Sequence, residues 1–494
     1  KGKFNTLFNL RENQIKKLFT KIKFLKENKI KTQGSLFHIF NLKISNNFKI
    51  IDYNYKSNGN ISQSHVILKN DLKNTFIRKP IKKILFEKIK LKINFNHKNK
   101  NLLLFDGFYS LDNSTYKKFK FKNNLNKKNQ NYLIDLDLSE NIFIDVINFQ
   151  SDSKKNGNIK IEYSIKKNFL FFKSINFTEN KNIIHVKNLV INNKYEVEKF
   201  SSIRILTFRK NKENNNFIIN LGKKISISGE KYDSSNLLKL LSESSRSNLL
   251  KNFSKEIEIE IKNLITKSKI PLSNFNLIGF VEKGKFSKIS SKSEFSEDEY
   301  LDISLKKDPN GKKILEVYSD SPQALLGDYK FFEGIKDGKL LYNSIIDKTG
   351  SSSKLTIENF KVIKAPAFAT LLTLADLGGV ADLLSGKGMS FDILEINLKD
   401  NTSVTIIEEL IALGTSISLH MEGSLEKKSG LVSLKGTLVP AKMLNSLVSK
   451  IPVVGNILVG VEVGEGIFGV SFKMKGPPGK VKTTVNPVKT ITPR

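Results

Sequence analysis

The feature that most constrains this chain is a strict alternation of apolar and polar residues. In residues 88–95, three lysines and an asparagine separate four apolar side chains, namely Ile89, Leu91, Ile93 and Phe95. Successive side chains of a β-strand point to opposite faces of its sheet, so a period of two residues predicts a strand with one buried face. Such a strand has to pair with others and cover its apolar face.

The same period returns along much of the chain. It recurs at Leu136 and Leu138, Ile159 and Ile161, Ile225 and Ile227, and Ile257, Ile259 and Ile261. Turn-forming dipeptides separate runs of this kind, at Asn58-Gly59, Asn156-Gly157, Asn310-Gly311 and Asp337-Gly338. The sequence therefore predicts a mainly β fold, an elongated and curved antiparallel repeating sheet with one apolar and one solvated face.

Helical patterns are few. The strongest runs from Ala365 to Leu384, where Pro366 suits a first turn and Gly386 follows the end. This segment is apolar around most of its circumference, so we expect it to be buried as a cap on the end of the sheet. We expect it to pack near Phe391, Val439 and Ile467. Weaker helical candidates are Pro440 to Val448 and Asn236 to Leu250.

Composition divides the chain. Alanine is absent before Ala324, and from residue 361 onward 15 Lys and Arg face 11 Asp and Glu, so most of the net charge of +34 lies earlier. We predict three parts. The amino-terminal part of the sheet covers residues 1–235, the continuation of the sheet covers 236–360, and a carboxy-terminal domain with the helical cap covers 361–494. The basic residues are almost all lysine, which is typical of an AT-rich genome. A positive electrostatic field nevertheless attracts anionic lipid or nucleic acid.

The residues that usually carry catalysis or bind metals are missing or scattered. There is no cysteine, which excludes disulfides and thiolate metal sites, and the five histidines lack ligand spacing. Alternating carboxylates at Glu256, Glu258 and Glu260 suit a solvated strand face, and the glycines of Gly460 to Gly469 lack the pattern of a phosphate or dinucleotide loop. We expect no enzyme, no metal and no cofactor.

A basic and aromatic stretch, Tyr116 to Lys128, could in principle stack on bases and contact phosphates. Alternating Lys and Phe is also what a strand with one buried face requires, and no nucleic-acid motif accompanies it. We therefore expect no nucleic acid as a partner.

Several carboxy-terminal motifs resemble a known family. They are Ala365-Pro366-Ala367, Gly378 to Phe391, Gly436 to Leu447, Gly464-Glu465-Gly466 with Phe468, and Gly476-Pro477 followed by Val485-Asn486-Pro487. Together they are similar to the AsmA-like C-terminal domain, in its YhdP-like branch. Ser319 to Leu326 and Ser228 to Leu238 are similar to the stretches that precede that domain, so the resemblance covers residue 220 onward and, more faintly, the rest of the chain. The chain departs from that pattern at Val380-Ala381-Asp382 and in its short tail.

The resemblance implies a periplasmic groove that carries phospholipid between the inner and outer membranes of a Gram-negative bacterium. It also implies an anchor in the inner membrane through an amino-terminal segment upstream of Lys1. No apolar run of this sequence approaches the roughly 18 residues of a membrane-spanning helix. Phospholipid acyl chains and the two membranes are the expected partners, and partner proteins cannot be named from the sequence.

From these observations we predict a non-enzymatic lipid-transfer bridge. The groove lining is predicted at Ile89, Leu91, Ile93, Phe95, Ile257, Ile259 and Ile261, and the carboxy-terminal cap at Pro366, Leu371, Leu374, Phe391, Pro440 and Phe468. Two other functions stay open, a scaffold for the assembly of outer-membrane proteins and a polyanion-binding protein. The lining residues would instead pack a closed core if the fold were an ordinary sandwich.

Overall fold

The alternating runs form strands. The computed structural model of the protein describes residues 1–18, 23–97, 101–125, 130–152, 154–166, 168–236, 253–266, 270–326, 332, 334–363, 388–415, 417–440, 467–477 and 480–491. Strands make up 73% of the described residues and helices 5%. The mainly β, antiparallel, repeating fold predicted from the alternation is confirmed.

The chain divides into two units. Unit 1 consists of Lys1–Glu256 with Glu282–Lys285, and unit 2 of Ile257–Val281 with Phe286–Arg494. The three-way division predicted from composition stays a prediction.

Unit 1 contains the first sixteen strands. They are β1 Gly2–Leu10, β2 Lys29–Ile44, β3 Ile50–Leu72, β4 Ile81–Asn96, β5 Asn101–Leu111, β6 Lys117–Leu125, β7 Gln130–Asp137, β8 Phe143–Ile144, β9 Phe149–Gln150, β10 Gly157–Lys166, β11 Phe169–Glu179, β12 Asn182–Asn192, β13 Val197–Lys199, β14 Ser202–Arg209, β15 Lys212–Leu221 and β16 Ile225–Asp233.

These strands form a meander in which neighbours in sequence are neighbours in space. Each strand from β1 to β6 pairs with the next, β7 pairs with β10, and the series continues through β11, β12, β14, β15 and β16, always antiparallel. β8 and β9 form a separate small ladder. Bulges interrupt several pairs, for example between Glu87 and Lys90, where Lys88 has a φ of 51°. Bulges bend the strand that carries them, which suits a curved sheet.

The remaining strands follow the same plan. They are β17 Lys255–Ile265, β18 Pro271–Glu282, β19 Lys285–Ser296, β20 Glu299–Lys307, β21 Lys313–Ser319, β22 Ile335–Lys336, β23 Lys339–Ile346, β24 Gly350–Val362, β25 Met389–Asn401, β26 Val404–Gly414, β27 Ile417–Glu426, β28 Val432–Pro440, β29 Ile467–Gly476 and β30 Lys482–Ile491.

In unit 2, strands β20, β21 and β23 to β30 pair successively and antiparallel. One face of this ladder carries a cluster of sixteen buried apolar residues, which includes Leu340, Ile357, Leu394, Leu410 and Leu438. Ile357 and Leu438 are fully buried. This face of unit 2 is therefore buried and apolar.

One predicted turn is wrong. Asn58-Gly59 lies inside β3, where Gly59 is opposite Leu36 of β2 and Leu91 of β4. A Cβ atom on Gly59 would lie 2.1 Å from the carbonyl oxygen of Ser35, so the glycine is needed for the close approach of the neighbouring strand and not for a reversal of the chain. The other three dipeptides lie between strands or directly before one, as predicted.

The helices among the described residues are short. They are α1 Glu12–Leu18, α2 Lys23–Glu27 and α3 Pro322–Leu326, with one turn of 3-10 helix at Asp145–Ile147. The helix predicted over Ala365 to Leu384 lies outside the described residues, as do the weaker candidates apart from Pro440 and Asn236, their first residues. Within the described ranges, no helix has both the length and the apolar character needed to span a membrane.

Candidate functional site

A row of apolar side chains crosses ten strands of unit 1. Directly opposed residues of neighbouring strands share a face of the sheet, so the register of the strands identifies the members of the row. In order they are Leu91, Phe105, Phe121, Ile134, Ile161, Ile175, Val186, Ile203, Ile219 and Ile227. We call this the central row and the side of the sheet that carries it the apolar face. At roughly 4.8 Å per strand, the row is about 43 Å long.

Two further rows flank the central row on the apolar face. On one side lie Phe119, Leu136, Ile159, Phe177, Ile184, Ile205 and Phe217. On the other side lie Leu103, Asn123, Tyr132, Tyr163, Phe172 and Leu189. Asn123 is the one polar member of these two rows. The apolar face is therefore about three residues wide along the strands.

The connection between β7 and β10 crosses the first flanking row. We call residues 138–152 the strap. Phe149 of the strap packs against Phe177 with ring centroids 5.5 Å apart, and Ile147 and Phe149 are both buried. Farther along, the Nδ2 of Asn215 donates to the carbonyl oxygen of Ile147 at 2.7 Å, and the Tyr232 hydroxyl donates to that of Val146 at 2.9 Å. The strap thus lies over the apolar face near the ends of β11, β15 and β16.

Polar side chains hold the strap at its middle and at its end. At its middle, Arg78 pairs with Asp145, and the guanidinium of Arg78 stacks over the ring of Phe143 at 4.1 Å. At its end, the backbone N–H of Asp152 donates to Glu179 at 2.8 Å. These contacts join the strap to the segment before β4 and to the last residue of β11.

Side chains of the apolar face are less buried farther from the strap. Phe177, Ile205 and Phe217 in the row beneath it are buried, whereas every member of the central row except Leu91 is only partly buried. The apolar members of the opposite flanking row are also partly exposed. We call the central row and this second flanking row the open groove. Its floor is the sheet and one of its walls is the strap.

Aromatic rings line part of the open groove. Phe105, Phe121, Tyr132, Tyr163 and Phe172 follow one another with centroids 4.7 to 6.2 Å apart, and Tyr132 and Tyr163 are stacked. Burial raises the pKa of Tyr163, with a smaller contribution from Tyr132. The pKa of a phenol rises in this way where the surroundings solvate its charged form poorly.

Two tyrosines at the strap are in similar surroundings. Burial raises the pKa of Tyr232 to about 12, with a smaller contribution from the charge of Asp233. Burial also raises the pKa of Tyr109, whose hydroxyl donates to the carbonyl oxygen of Asp137 at 2.6 Å. Both phenols are neutral at physiological pH, so they bind the strap region as hydrogen-bond donors.

One row on the other face of unit 1 is charged and of mixed sign. Along one row the residues directly opposite each other are Lys90, Asp106, Lys120, Asp135 and Lys160, in which the sign alternates from strand to strand. Opposite charges on neighbouring strands attract each other, and the alternation prevents a continuous basic strip here. This row has the character of a solvated outer face.

The predicted lining residues fall into two groups. In β4, Ile89 and Leu91 are buried while Ile93 and Phe95 are partly exposed, and Leu91 belongs to the central row. In β17, Ile257 and Ile261 are buried and Ile259 is partly exposed. All seven lie on strands, and their contact with lipid stays a prediction.

The predicted cap is described only in part. Phe391 lies in β25, is buried, and stacks on Phe360 of β24 with centroids 5.1 Å apart and an interplanar angle of 10°. Pro440 is the last residue of β28 and is opposite Ile417, and Phe468 lies in β29 opposite Thr490. Pro366, Leu371 and Leu374 lie outside the described residues.

Carboxylates beside the strap have structural partners. A polar cavity of about 610 Å³ next to the strap is lined by Arg78, Asp145, Glu179 and Arg209, among others. Glu179 is buried and accepts hydrogen bonds from Asp152 and from the Nδ2 of Asn182, so it holds the strap. In the part of the chain that the structure describes, no three His, Asp or Glu side chains are grouped as metal ligands.

Sequence reasoning missed the strap and most of the central row. The strap sequence Ile142 to Phe149 is apolar without alternation, which distinguishes a packed connection from a strand with one solvated face. The order of residues in the central row depends on strand register, for which the sequence contains no comparable signal.

No family model and no curated protein matches this sequence. The resemblance to the AsmA-like family therefore rests on the sequence motifs alone.

Proposed function

We propose that the protein is a non-enzymatic lipid carrier in which the open groove of unit 1 holds the acyl chains of phospholipid. The observation behind this proposal is the central row, ten apolar side chains in register of which nine remain partly exposed. The free energy falls when apolar surface of this extent is removed from water. An acyl chain is a linear apolar ligand that could cover the row.

The dimensions suit this ligand. The hydrocarbon core of a bilayer is about 30 Å thick, so one leaflet contributes acyl chains of about half that length. The central row, at about 43 Å, is longer than one acyl chain. A lipid could move along such a row without leaving apolar contacts, as transfer between two membranes requires. The AsmA-like resemblance supports the same role, with phospholipid moving across the periplasm between the inner and outer membranes.

A polyanion-binding role has less support. The row from Lys90 to Lys160 on the outer face alternates in sign, whereas a nucleic-acid surface needs clustered cations. We therefore retain the lipid carrier as the single proposed function.

The proposal is tested with a photo-crosslinking amino acid at two adjacent positions of β6. Phe121 belongs to the central row, and Lys120 points to the outer face and is exposed. Benzoylphenylalanine at Phe121 should crosslink to phospholipid in cells, and the same residue at Lys120 should not. The crosslinked mass, compared with the lipids that co-purify with the unmodified protein, identifies the ligand.

Equal crosslinking at both positions would mean that lipid contacts the protein without regard to the groove. Crosslinking to protein at Phe121 with no lipid at either position would favour the assembly-scaffold function. Either result would contradict the proposal.

A further inference from the structure

The hairpin between β2 and β3 extends beyond the end of β4. The pairing of β4 with β3 ends at Asn54. Beyond this point, Leu42, Lys43 and Ile44 of β2 are still opposite residues of β3. We call residues 41–53 the tip. It lies at the opposite ends of the strands from the strap.

The tip exposes apolar side chains at its end. Leu42, Ile44, Phe48, Ile50 and Ile51 are between 42% and 90% exposed, and Phe48, at the turn, has the highest value. A two-stranded hairpin in water has no reason to place five large apolar residues at its end, because their exposure costs free energy. A concentration of this kind indicates a surface that contacts another apolar phase.

The turn holds Phe48 in place. The N–H of Ser45 donates to the carbonyl oxygen of Lys49 at 2.8 Å, and the N–H of Phe48 donates to that of Ser45 at 3.0 Å. The Oγ of Ser45 also accepts from the N–H of Lys49 at 3.2 Å. Phe48 has a φ of 55°, a conformation that bulky residues rarely adopt. The phenyl ring is thus presented at the apex by a bonded turn.

The charge around the tip is positive. Lys43 and Lys49 flank the apolar end, with Asp52 as the one acidic residue of the tip. Residues 1–97, to which the tip belongs, contain 22 Lys and Arg and five Asp and Glu. A field of this sign concentrates the protein at negatively charged surfaces, each nearby lysine adding to the attraction.

We propose that the tip inserts its apolar end into an anionic phospholipid bilayer, with Phe48 deepest and Lys43 and Lys49 at the level of the head groups. A membrane fits better than a protein, because a stable protein interface needs about 20–30 residues a side, and the tip offers only residues 41–53. Membrane insertion needs only a few apolar side chains with cations beside them. This docking does not depend on the open groove carrying lipid.

The chain contains no tryptophan, which permits a direct test. Phe48→Trp introduces a single indole at the apex. Tyr195→Trp is the matched control, since Tyr195 is also an exposed aromatic with positive φ, 74% exposed with a φ of 61°. With vesicles of phosphatidylcholine and phosphatidylglycerol, the Phe48→Trp emission should shift to the blue and be quenched by lipids brominated on their acyl chains. The control emission should not change.

Two further variants separate insertion from adsorption. Phe48→Asn removes the ring, and asparagine tolerates the positive φ at this position. Combined with Ile50→Thr, it should weaken vesicle binding about tenfold or more, because two apolar side chains no longer enter the bilayer. Tyr195→Asn should leave binding unchanged. Added salt should weaken binding of the parent protein, because the lysine contribution is screened.

Three results would overturn the proposal. The first is an unshifted Phe48→Trp emission on vesicles to which the protein binds. The second is full vesicle binding by Phe48→Asn/Ile50→Thr with loss on Lys43→Glu/Lys49→Glu, which would indicate electrostatic adsorption alone. The third is a dimer of the parent chain in sedimentation that becomes monomeric in Phe48→Asn/Ile50→Thr, which would identify a second copy as the occupant.

Discussion

At the scale of single residues, the groove depends on a few buried polar side chains. Asn215 is fully buried and all of its polar atoms are bonded. Its Nδ2 donates to Ile147 and to the Oγ1 of Thr207, and its Oδ1 accepts from the N–H of Asp233 at 2.9 Å. One side chain thereby joins the strap, β14 and the end of β16.

Replacing Asn215 by alanine should destabilise unit 1 by about 3 kcal/mol. The change leaves the carbonyl oxygen of Ile147 and the N–H of Asp233 without their partner in a buried position, and each unmet group costs about 1–3 kcal/mol. Urea unfolding measures the change. Asn220→Ala on the outer face of the same strand is the control, and an equal loss there would show that Asn215 has no special role.

Tyr232 makes the strap sensitive to high pH. Because burial raises its pKa to about 12 in the folded protein, above the ordinary value of 10, its neutral form is favoured by folding. The contribution of Tyr232 to the free energy of unfolding is fully present below about pH 10 and is lost as the pH rises toward 12. Tyr232→Phe should therefore lower stability by about 1 kcal/mol at neutral pH through the lost hydrogen bond and should flatten the alkaline decline. Urea unfolding of both proteins across this range measures the difference, and parallel curves would contradict the assignment.

At the scale of elements, the strap decides which part of the apolar face is closed. Phe149 of the strap packs on the sheet through Phe177. Phe149→Ala should cost about 3–5 kcal/mol and raise the binding of an apolar dye, since the row beneath the strap becomes accessible. Val146→Ala in the same segment removes a side chain that is 46% exposed and should change neither property. Similar effects of the two changes would mean that the strap does not cover the face.

The strand β12 distinguishes a groove from a packed core. Val186 belongs to the partly exposed central row, and its neighbour His185 lies on the outer face opposite Arg204. Val186→Asp should leave the protein folded and reduce lipid co-purification several-fold, because a charge in the groove has to be desolvated by an acyl chain. His185→Asp should retain lipid. If Val186→Asp unfolds the protein in circular dichroism, the position is core and the sandwich alternative gains.

At the scale of the whole molecule, the two units differ in how their apolar faces are covered. In unit 2 sixteen apolar residues form a buried cluster, while most of the central row of unit 1 remains partly exposed. Acyl chains should therefore bind unit 1. With lipid at about ten times its Kd, ligand binding adds about 1.4 kcal/mol of stability, so hydrogen exchange should slow about tenfold in β5 to β16. Equal slowing in β23 to β28 would contradict a groove confined to unit 1.

Much of the strand pattern could be predicted from the sequence. The direction of a side chain from a strand is a local property, so Ile89 and Leu91 could be assigned to one face from the alternation alone. Three turn dipeptides were predicted correctly for the same local reason. Asn58-Gly59 was not, because a glycine that permits a close strand contact and a glycine that reverses the chain have the same sequence signature.

The sequence by itself determined that this chain forms antiparallel strands with one apolar face, because that face follows from a two-residue period. Tertiary structure decided which residues share a row, since register depends on how neighbouring strands align. It also decided that Phe177 is covered while Ile175, two residues away on the same face, stays partly exposed. The physical reason is that exposure depends on what packs above the face, and here the strap reaches only the strand ends.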